Sequence, residues 1–422
     1  MLLLLNIGSC LDRQVLALMI DAVKASLSIN DLEVSLLQGI TFALFYCGFG
    51  LPFGWLADRY SRRGLIFLGA AAWSVAASAC GLARNFPQLL LARVGVGIGE
   101  AALSPAAFSL LTDTFPPQRL GFALSLFSTG AALGSALALA AGGLLIGALP
   151  ARVDVIPGVL QLANWQTVYI LTGLPCLLFA SLIWTVVKPA RQGLIHQAGA
   201  RVRDTLQFAR RRWRFFVPHF AGFGLMSLCG YGVLIWSPSY VHRSFGWSMS
   251  VIGPVSAAVM LTGVVGGTAL GAIADRWFAA GRRDAHLRLY ALVGVIQMTF
   301  VVAAIAVNNP YGFFILYGCY HVVSSFTGTA VAAFQIVTPN EYRGQLSAAF
   351  LTTFNLLGLG VGPSAVAAVT SFVFKDPQMV GWSIATVYLL VMPVAIVCFI
   401  LAMKPMREAV VLFEQSASPK AL

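Results

Sequence analysis

A chain of 422 residues that is 59% hydrophobic and 10% charged, with a mean hydropathy of +0.83, carries more apolar surface than a soluble core can bury. Soluble domains hold roughly 25% charged residues, so the solvent of this chain is a bilayer. The formal net charge of +12 does not point to nucleic acid, because the basic residues collect in the loops of one membrane side. Seven scattered cysteines and five histidines form no CxxC, Cys/His or HExxH pattern, which leaves no disulfide framework and no metal site.

Apolar runs long enough to span recur along the whole chain. They read as about twelve helices of roughly 20 residues or more, near 2–26, 34–56, 64–84, 88–112, 119–148, 166–187, 214–240, 249–274, 287–307, 310–338, 344–373 and 380–403. No alternating barrel pattern appears. Span one carries Asp12 and Arg13 in mid-run. Ile7-Gly8-Ser9-Cys10 has the look of a lipoprotein cleavage site, yet no basic region precedes it and the apolar run continues past the charges, so the segment reads as a spanning helix.

Between spans two and three lies Gly54-Trp55-Leu56-Ala57-Asp58-Arg59-Tyr60-Ser61-Arg62-Arg63. Small Gly54 suits close helix approach, and Asp58 at a helix end suits charge-assisted bonds to Arg59 or Arg119. In span four, Arg93, Gly97, Glu100 and Ser104 follow spacings of four, three and four, which places them on one stripe. An ionisable side chain in hydrocarbon costs roughly 2.5–3.5 kcal/mol on insertion scales, so it faces a partner or a watery path. Arg93 and Glu100 stand about 10 Å apart along the helix, and span one offers each a complement: Asp12 for Arg93, or Arg13 for Glu100. Burial favours the protonated carboxyl and a nearby arginine favours the carboxylate. An arginine that moves, or finds a substrate anion, would let the acid take a proton.

The longest polar stretch, Lys188 to Arg214, is rich in arginine and divides the chain into 1–187, a linker at 188–213, 214–403, and a tail at 404–422. The arginine-rich end reads either as an amphipathic helix on the inner membrane surface or as a solvated linker. The second half then repeats the first. Gly271-Ala272-Ile273-Ala274-Asp275-Arg276, followed by Gly281-Arg282-Arg283, echoes the earlier loop, and Arg343 to Gly358 echoes Arg119 to Gly134 at equal spacing. Such echoes indicate a duplicated six-helix unit. His321, Gln335 and Asn355 are further polar residues within spans, and Phe45, Phe127, Phe326 and Phe354 lie mid-span.

The loop at Gly54–Arg63 resembles the inter-helix signature of the major facilitator superfamily, in both halves. Arg93-Val94-Gly95-Val96-Gly97-Ile98-Gly99-Glu100-Ala101 is similar to its fourth-helix pattern, and Gly130, Gly134, Gly142 and Gly143 to its glycine-rich fifth helix. Leu11-Asp12-Arg13 together with Gly99-Glu100-Ala101 resembles the Spinster group.

That resemblance implies an all-α membrane protein of two pseudo-symmetric six-helix bundles around a central cavity. It implies a transporter, not an enzyme, working by alternating access and driven by the proton gradient with no bound cofactor. The implied substrate is an amphipathic lipid, a lysophospholipid or sphingoid phosphate. In that picture Asp12 and Glu100 couple protons, and Arg13 and Arg93 pair with them or meet an anionic headgroup. Gly54, Asp58, Arg59, Arg119, Asp275 and Arg276 form the cytoplasmic gate, and Phe45, Ser104, Phe127, His321, Phe326, Phe354 and Asn355 are cavity candidates. Membrane lipids are the other expected partners, and the expected assembly is a monomer. The expected location is a bacterial inner membrane with both termini cytoplasmic, since the outside loops also lack N-x-S/T sequons. The rival readings are a drug exporter or small-metabolite carrier of the same fold, and a lipid-modifying membrane enzyme, for which no nucleophile–base set is present.

Overall fold

Hydrocarbon offers backbone N–H and C=O groups no partner, so an apolar chain must close its hydrogen bonds within each segment. The computed structural model describes residues 1–115, 117–156, 160–186 and 202–417. Span one consists of α1 (Leu2–Gln14) and α2 (Leu16–Leu27), and span two of α3 (Asp31–Gln38) and α4 (Ile40–Arg59). Span three is α5 (Arg62–Cys80), span four is α6 (Phe86–Ala101) with α7 (Leu103–Thr114), and span five is α8 (Pro117–Ala148). A short antiparallel hairpin, β1 (Arg152–Ile156) and β2 (Leu160–Ala163), precedes α9 (Asn164–Ser181), which is span six. The hydropathy pattern gave no sign of this hairpin, whose short strands belong to a loop between spans.

The second half opens with α10 (Val202–Arg211), so the arginine-rich end of the basic linker, open from the sequence as either an amphipathic helix or a solvated linker, is helical. The rest of that linker, 188–201, lies outside the described residues. Spans seven to nine are α11 (Trp213–Phe245), α12 (Met249–Ala279) and α13 (Ala285–Ala306). Span ten divides into α14 (Pro310–Val322) and α15 (Thr327–Ile336). Span eleven contains α16 (Asn340–Asn355) and α17 (Gly362–Ala368), each followed by a π-helical turn, and span twelve is α18 (Val380–Ala417). Among the described residues, eleven helical spans are long and apolar enough to cross a membrane, and the broken span ten makes the twelfth. Helix α18 continues well past residue 403, where a tail was expected, because Met406, Ala409 and Val410 are buried and reward further turns.

Several helix joints rest on glycine. At Gly39, between α3 and α4, a Cβ would meet the Gly360 carbonyl at 2.8 Å. Next to the break in span ten, a Cβ at Gly266 would fall 1.7 Å from the Val322 carbonyl. Two side chains of α13 serve that break: the Gln297 amide donates to the Val323 carbonyl at 2.7 Å, and the Tyr290 hydroxyl donates to the Ser325 carbonyl at 2.8 Å.

Two compact units form, and they do not coincide with the sequence halves. One comprises Met1–Leu194, Val233–Leu261 and Leu359–Gly381; the other comprises Ile195–Gly232, Thr262–Gly358 and Trp382–Leu422. Within the first, α8 packs closely on α12: a Cβ at Gly253 would lie 2.2 Å from the Leu139 carbonyl, and one at Gly143 2.5 Å from the Met249 carbonyl. Leu18, Ala136, Leu139 and Ala257 form an apolar cluster beside this contact. The second unit is centred on aromatics. His219 is fully buried among Phe215, Phe223, Phe334 and Phe350, and Tyr388 donates to the Tyr320 hydroxyl at 3.0 Å.

Candidate functional site

The four charges that stand in mid-span converge in the first unit. Arg13, in the last turn of α1, pairs with Glu100 of α6; the arginine side chain is 13% exposed and the glutamate not at all. Ser9 lies one turn earlier on the same face of α1 and donates its hydroxyl to Glu100 Oε2 at 2.7 Å. The Arg13 guanidinium also sits over the rings of Phe42, at 4.7 Å, and Tyr46, at 5.1 Å. These two rings are one turn apart on α4 and stack on each other. Cation–π contact of this kind gains strength where water is excluded.

Arg93 is fully enclosed. Its guanidinium lies 5.4 Å from the centre of the same Phe42 ring, and its Nε donates to the Leu37 carbonyl at 3.2 Å, at the end of α3. Both of its terminal nitrogens lack a hydrogen bond. Asp12 is also fully enclosed, and neither of its oxygens makes a hydrogen bond of ordinary geometry. The Glu100 carboxylate, Cys176 and Thr172 of α9, and Arg93 are the groups close enough to act on it. Of the two pairings open from the sequence, Arg13 with Glu100 forms. Arg93 turns instead to a backbone carbonyl and acts on Asp12 through space.

The structure places the remaining candidates less centrally. Gly97 packs on Phe42, where a Cβ would stand 3.2 Å from its carbonyl. Ser104 lies beyond the α6–α7 break at Ala102 and is half-buried. Phe45 is half-buried and stacks on Phe49, and Phe127 is buried edge-on to Phe108. In the second unit His321 is buried against Tyr317 and Tyr320, which suits a packing residue. Phe326 packs on Phe223 and Phe354, and Asn355 beside it is half-buried.

At the basic end, Arg59 lies exposed over Trp55 at 4.1 Å, and Arg119 and Arg276 are exposed. Asp58 falls within α4, and its side chain lies outside the described residues. Asp275 meets His286 at 3.8 Å. Arg62 forms an ion pair with Asp113, between α5 and α7, and Arg63 donates to the Val186 carbonyl at 2.7 Å. Gly54 and Gly271 do not mediate close helix approach here. A Cβ would stand 3.9 Å from Pro105 at the first and 3.9 Å from Thr329 at the second, ordinary contact distances.

Span two begins at Asp31 and ends near Arg59, so Asp31 marks the opposite end of the first unit. There Arg243, from the last turn of α11, gathers the ends of spans one and two. Its Nη1 and Nη2 donate to the two oxygens of Asp31 at 3.0 and 2.9 Å, and its Nε donates to Asp21 at 2.8 Å. Nη1 also donates to the Pro377 carbonyl at 3.1 Å, and Lys24 pairs with Asp31. Asp31 opens α3 behind a capping box formed by Asn30 and Glu33. Sequence reading missed this cluster. Its members stand at span ends, where single charges are expected whatever their role.

The sequence pattern of the Major Facilitator Superfamily matches residues 2–363. An MFS-type efflux pump of Mycolicibacterium smegmatis is 26% identical over 411 residues, covering 95% of this chain and 90% of that protein. The protein spinster of Drosophila melanogaster is 26% identical over 243 residues, covering 56% of this chain and 37% of that protein. A solved bacterial homolog of the human lysosomal transporter Spinster, in an inward-facing and unoccupied conformation, superposes with a TM-score of 0.82 at 22% identity, covering 100% of this chain and 98% of that one. Twelve spans, a repeated basic loop, mid-span charges and a match over most of the chain lead to one assignment: the chain belongs to the Major Facilitator Superfamily.

Proposed function

We propose that this transporter moves an amphipathic lipid with an anionic headgroup, a lysophospholipid or sphingoid phosphate, at the expense of the proton gradient. The observation that carries this reading is the half-satisfied charge cluster. Glu100 Oε1, both oxygens of Asp12 and both terminal nitrogens of Arg93 are buried without hydrogen bonds. Unmet polar groups in hydrocarbon are expensive, and persist where a second arrangement of the same groups is used. Arg13 is the one member with part of its side chain exposed, so it is the group that meets the headgroup. When Arg13 swings to a phosphate, Glu100 loses its cation and takes a proton. Arg93, fully enclosed, sets the local potential that Asp12 and Glu100 share.

The second reading, a proton-coupled exporter of drugs or other small molecules, rests on the efflux pump's match over 95% of this chain. One assay separates the two. Purified protein in liposomes is given a fluorescent lysolipid under an imposed pH gradient, with cationic dyes as competitors. Lysolipid accumulation that follows the gradient, and that Glu100→Gln reduces about tenfold while leaving exchange without a gradient within about twofold, supports the proposal. Accumulation of dyes but not of lysolipid would sink it. Uphill transport by Glu100→Gln at the parent rate would make Glu100 structural.

In this reading the basic end faces the cytoplasm of a bacterial cell, with both termini on that side. Labelling of an Arg63→Cys variant by an impermeant thiol reagent added outside intact cells would refute that orientation.

A further inference from the structure

The second unit carries a groove that the transport cluster does not use. It has a volume of about 720 Å³ and lies between α10, the first turns of α11 and the stretch of α16 from Gln345 to Thr353. Val202, Leu206 and Ala209 of α10 line one wall, and Trp213, Val217 and Ala349 continue it. Large apolar side chains remain open to the surroundings here: Val202 and Leu206 are each 65% exposed, and Val217 is 58% exposed.

Helix α10 has three faces, by the spacing of its residues. At about 100° per residue, Val202, Leu206 and Ala209 fall within one arc of roughly 60° and form the groove wall. A second face is held to the protein: Phe208 stacks on Tyr342 at 4.8 Å, and the following Arg212 donates to the Val337 carbonyl at 2.9 Å. The third face is basic. Arg203 and Arg210, two turns apart, form one edge directly beside the apolar arc; both are exposed and Arg210 also borders the groove. Arg214, past the end of α10, places its guanidinium 5.9 Å from the Trp213 ring.

An apolar trough anchored on the protein, rimmed by arginine, at the point where a span enters the bilayer, matches one molecule in chemistry and orientation. We propose that this groove is a binding site for an anionic phospholipid of the leaflet at the basic end, with an acyl chain along Val202, Leu206 and Trp213 and the phosphate on Arg203, Arg210 and Arg214. Guanidinium groups suit phosphate oxygens by their paired donors, and arginines beside an acidic leaflet enrich its lipids by about fivefold each. The site is separate from the Arg13–Glu100 cluster and does not rest on the substrate proposed above.

Trp213 supplies the readout. The full-length protein is reconstituted in phosphatidylcholine vesicles containing the same low mole fraction of either phosphatidylglycerol or phosphatidylcholine with brominated acyl chains. Bromine quenches tryptophan on contact, and the Trp213 share is isolated by subtracting a Trp213→Phe variant in each background. The expected result is that brominated phosphatidylglycerol quenches Trp213 at a concentration at least about fivefold lower than brominated phosphatidylcholine. That preference disappears in Arg203→Gln/Arg210→Gln and survives in Arg282→Gln/Arg283→Gln, which removes equal charge elsewhere. Equal quenching by the two lipids, or a preference that survives the first pair of substitutions, overturns the headgroup site. Quenching by neither lipid overturns the proposal altogether, since some protein segment would then cover the groove.

Discussion

Two arginine–carboxylate clusters occupy the first unit, and they are built in opposite ways. At the end opposite the basic loops, Arg243 donates four hydrogen bonds, three of them to the carboxylates of Asp21 and Asp31. Asp31 adds Lys24 as a further partner and sits at a capped helix start, where the helix dipole favours an acid. In mid-membrane, Arg13 and Glu100 find each other, but Asp12, the two terminal nitrogens of Arg93 and the second oxygen of Glu100 are left without hydrogen bonds. A network satisfied but for one oxygen, Asp21 Oδ2, fixes one geometry; one with several polar atoms unmet in a low dielectric is poised between geometries. The first cluster reads as a clasp joining span seven to spans one and two, and the second as the element that changes state.

The sharpest way to break this contrast is to remove Arg13. With the cation gone, Glu100 keeps only the Ser9 hydroxyl and must either stay charged or take up a proton in a buried site, at a cost of up to about 3–5 kcal/mol. Arg13→Ala is expected to lower the thermal unfolding midpoint markedly, and the double variant Arg13→Ala/Glu100→Gln to recover most of the loss. If the double variant is as unstable as the single one, the pair contributes by packing and not by charge. Removing the clasp should act on conformation more than on folding. Charge-assisted bonds to Arg243 contribute on the order of 1.5–3 kcal/mol, so Arg243→Ala should shift the population toward opening of that end by at least about tenfold. Spin labels on cysteines placed at the exposed positions Ser26 and Gln378, in a background without native cysteines, would report the distance. An unchanged distance distribution would show that the glycine contacts of α8 with α12 suffice to hold the end shut. The smallest effect is expected at Asn30. Asn30→Ala removes the cap that presents Asp31 and should cost about 1 kcal/mol, visible in thermal unfolding with the label distances nearly unchanged. A shift as large as that of Arg243→Ala would make the cap part of the clasp itself.

Hydropathy made the spans legible, because length and apolarity are what a bilayer selects. It did not reveal the breaks at Gly39, Ala102 and 323–326. Each lies where a neighbouring helix packs closely, and that is a property of packing. The mid-span charges were legible for a similar reason: an arginine or glutamate in hydrocarbon is conspicuous. Their pairing was legible only as two options, since the choice turns on helix rotation and on the Leu37 carbonyl taking Arg93. Asp21, Asp31 and Arg243 gave no signal because a charge at a span end is ordinary. The glycines of the repeated loop misled, since Gly54 and Gly271 have room for a side chain while Gly143, Gly253 and Gly266 do not.

Span ten bears on how such a molecule can move at all. A helix broken at 323–326 invites the thought of a joint that flexes in the membrane. Yet Gln297 and Tyr290, about two turns apart on the unbroken α13, grip the carbonyls of Val323 and Ser325. Letting go would strand two carbonyls in hydrocarbon, so the fracture is splinted to its neighbour. Helices α14 and α15 must then travel with α13 as one rigid plate, and any rocking of the second half has to pivot somewhere other than the place that looks most like a hinge.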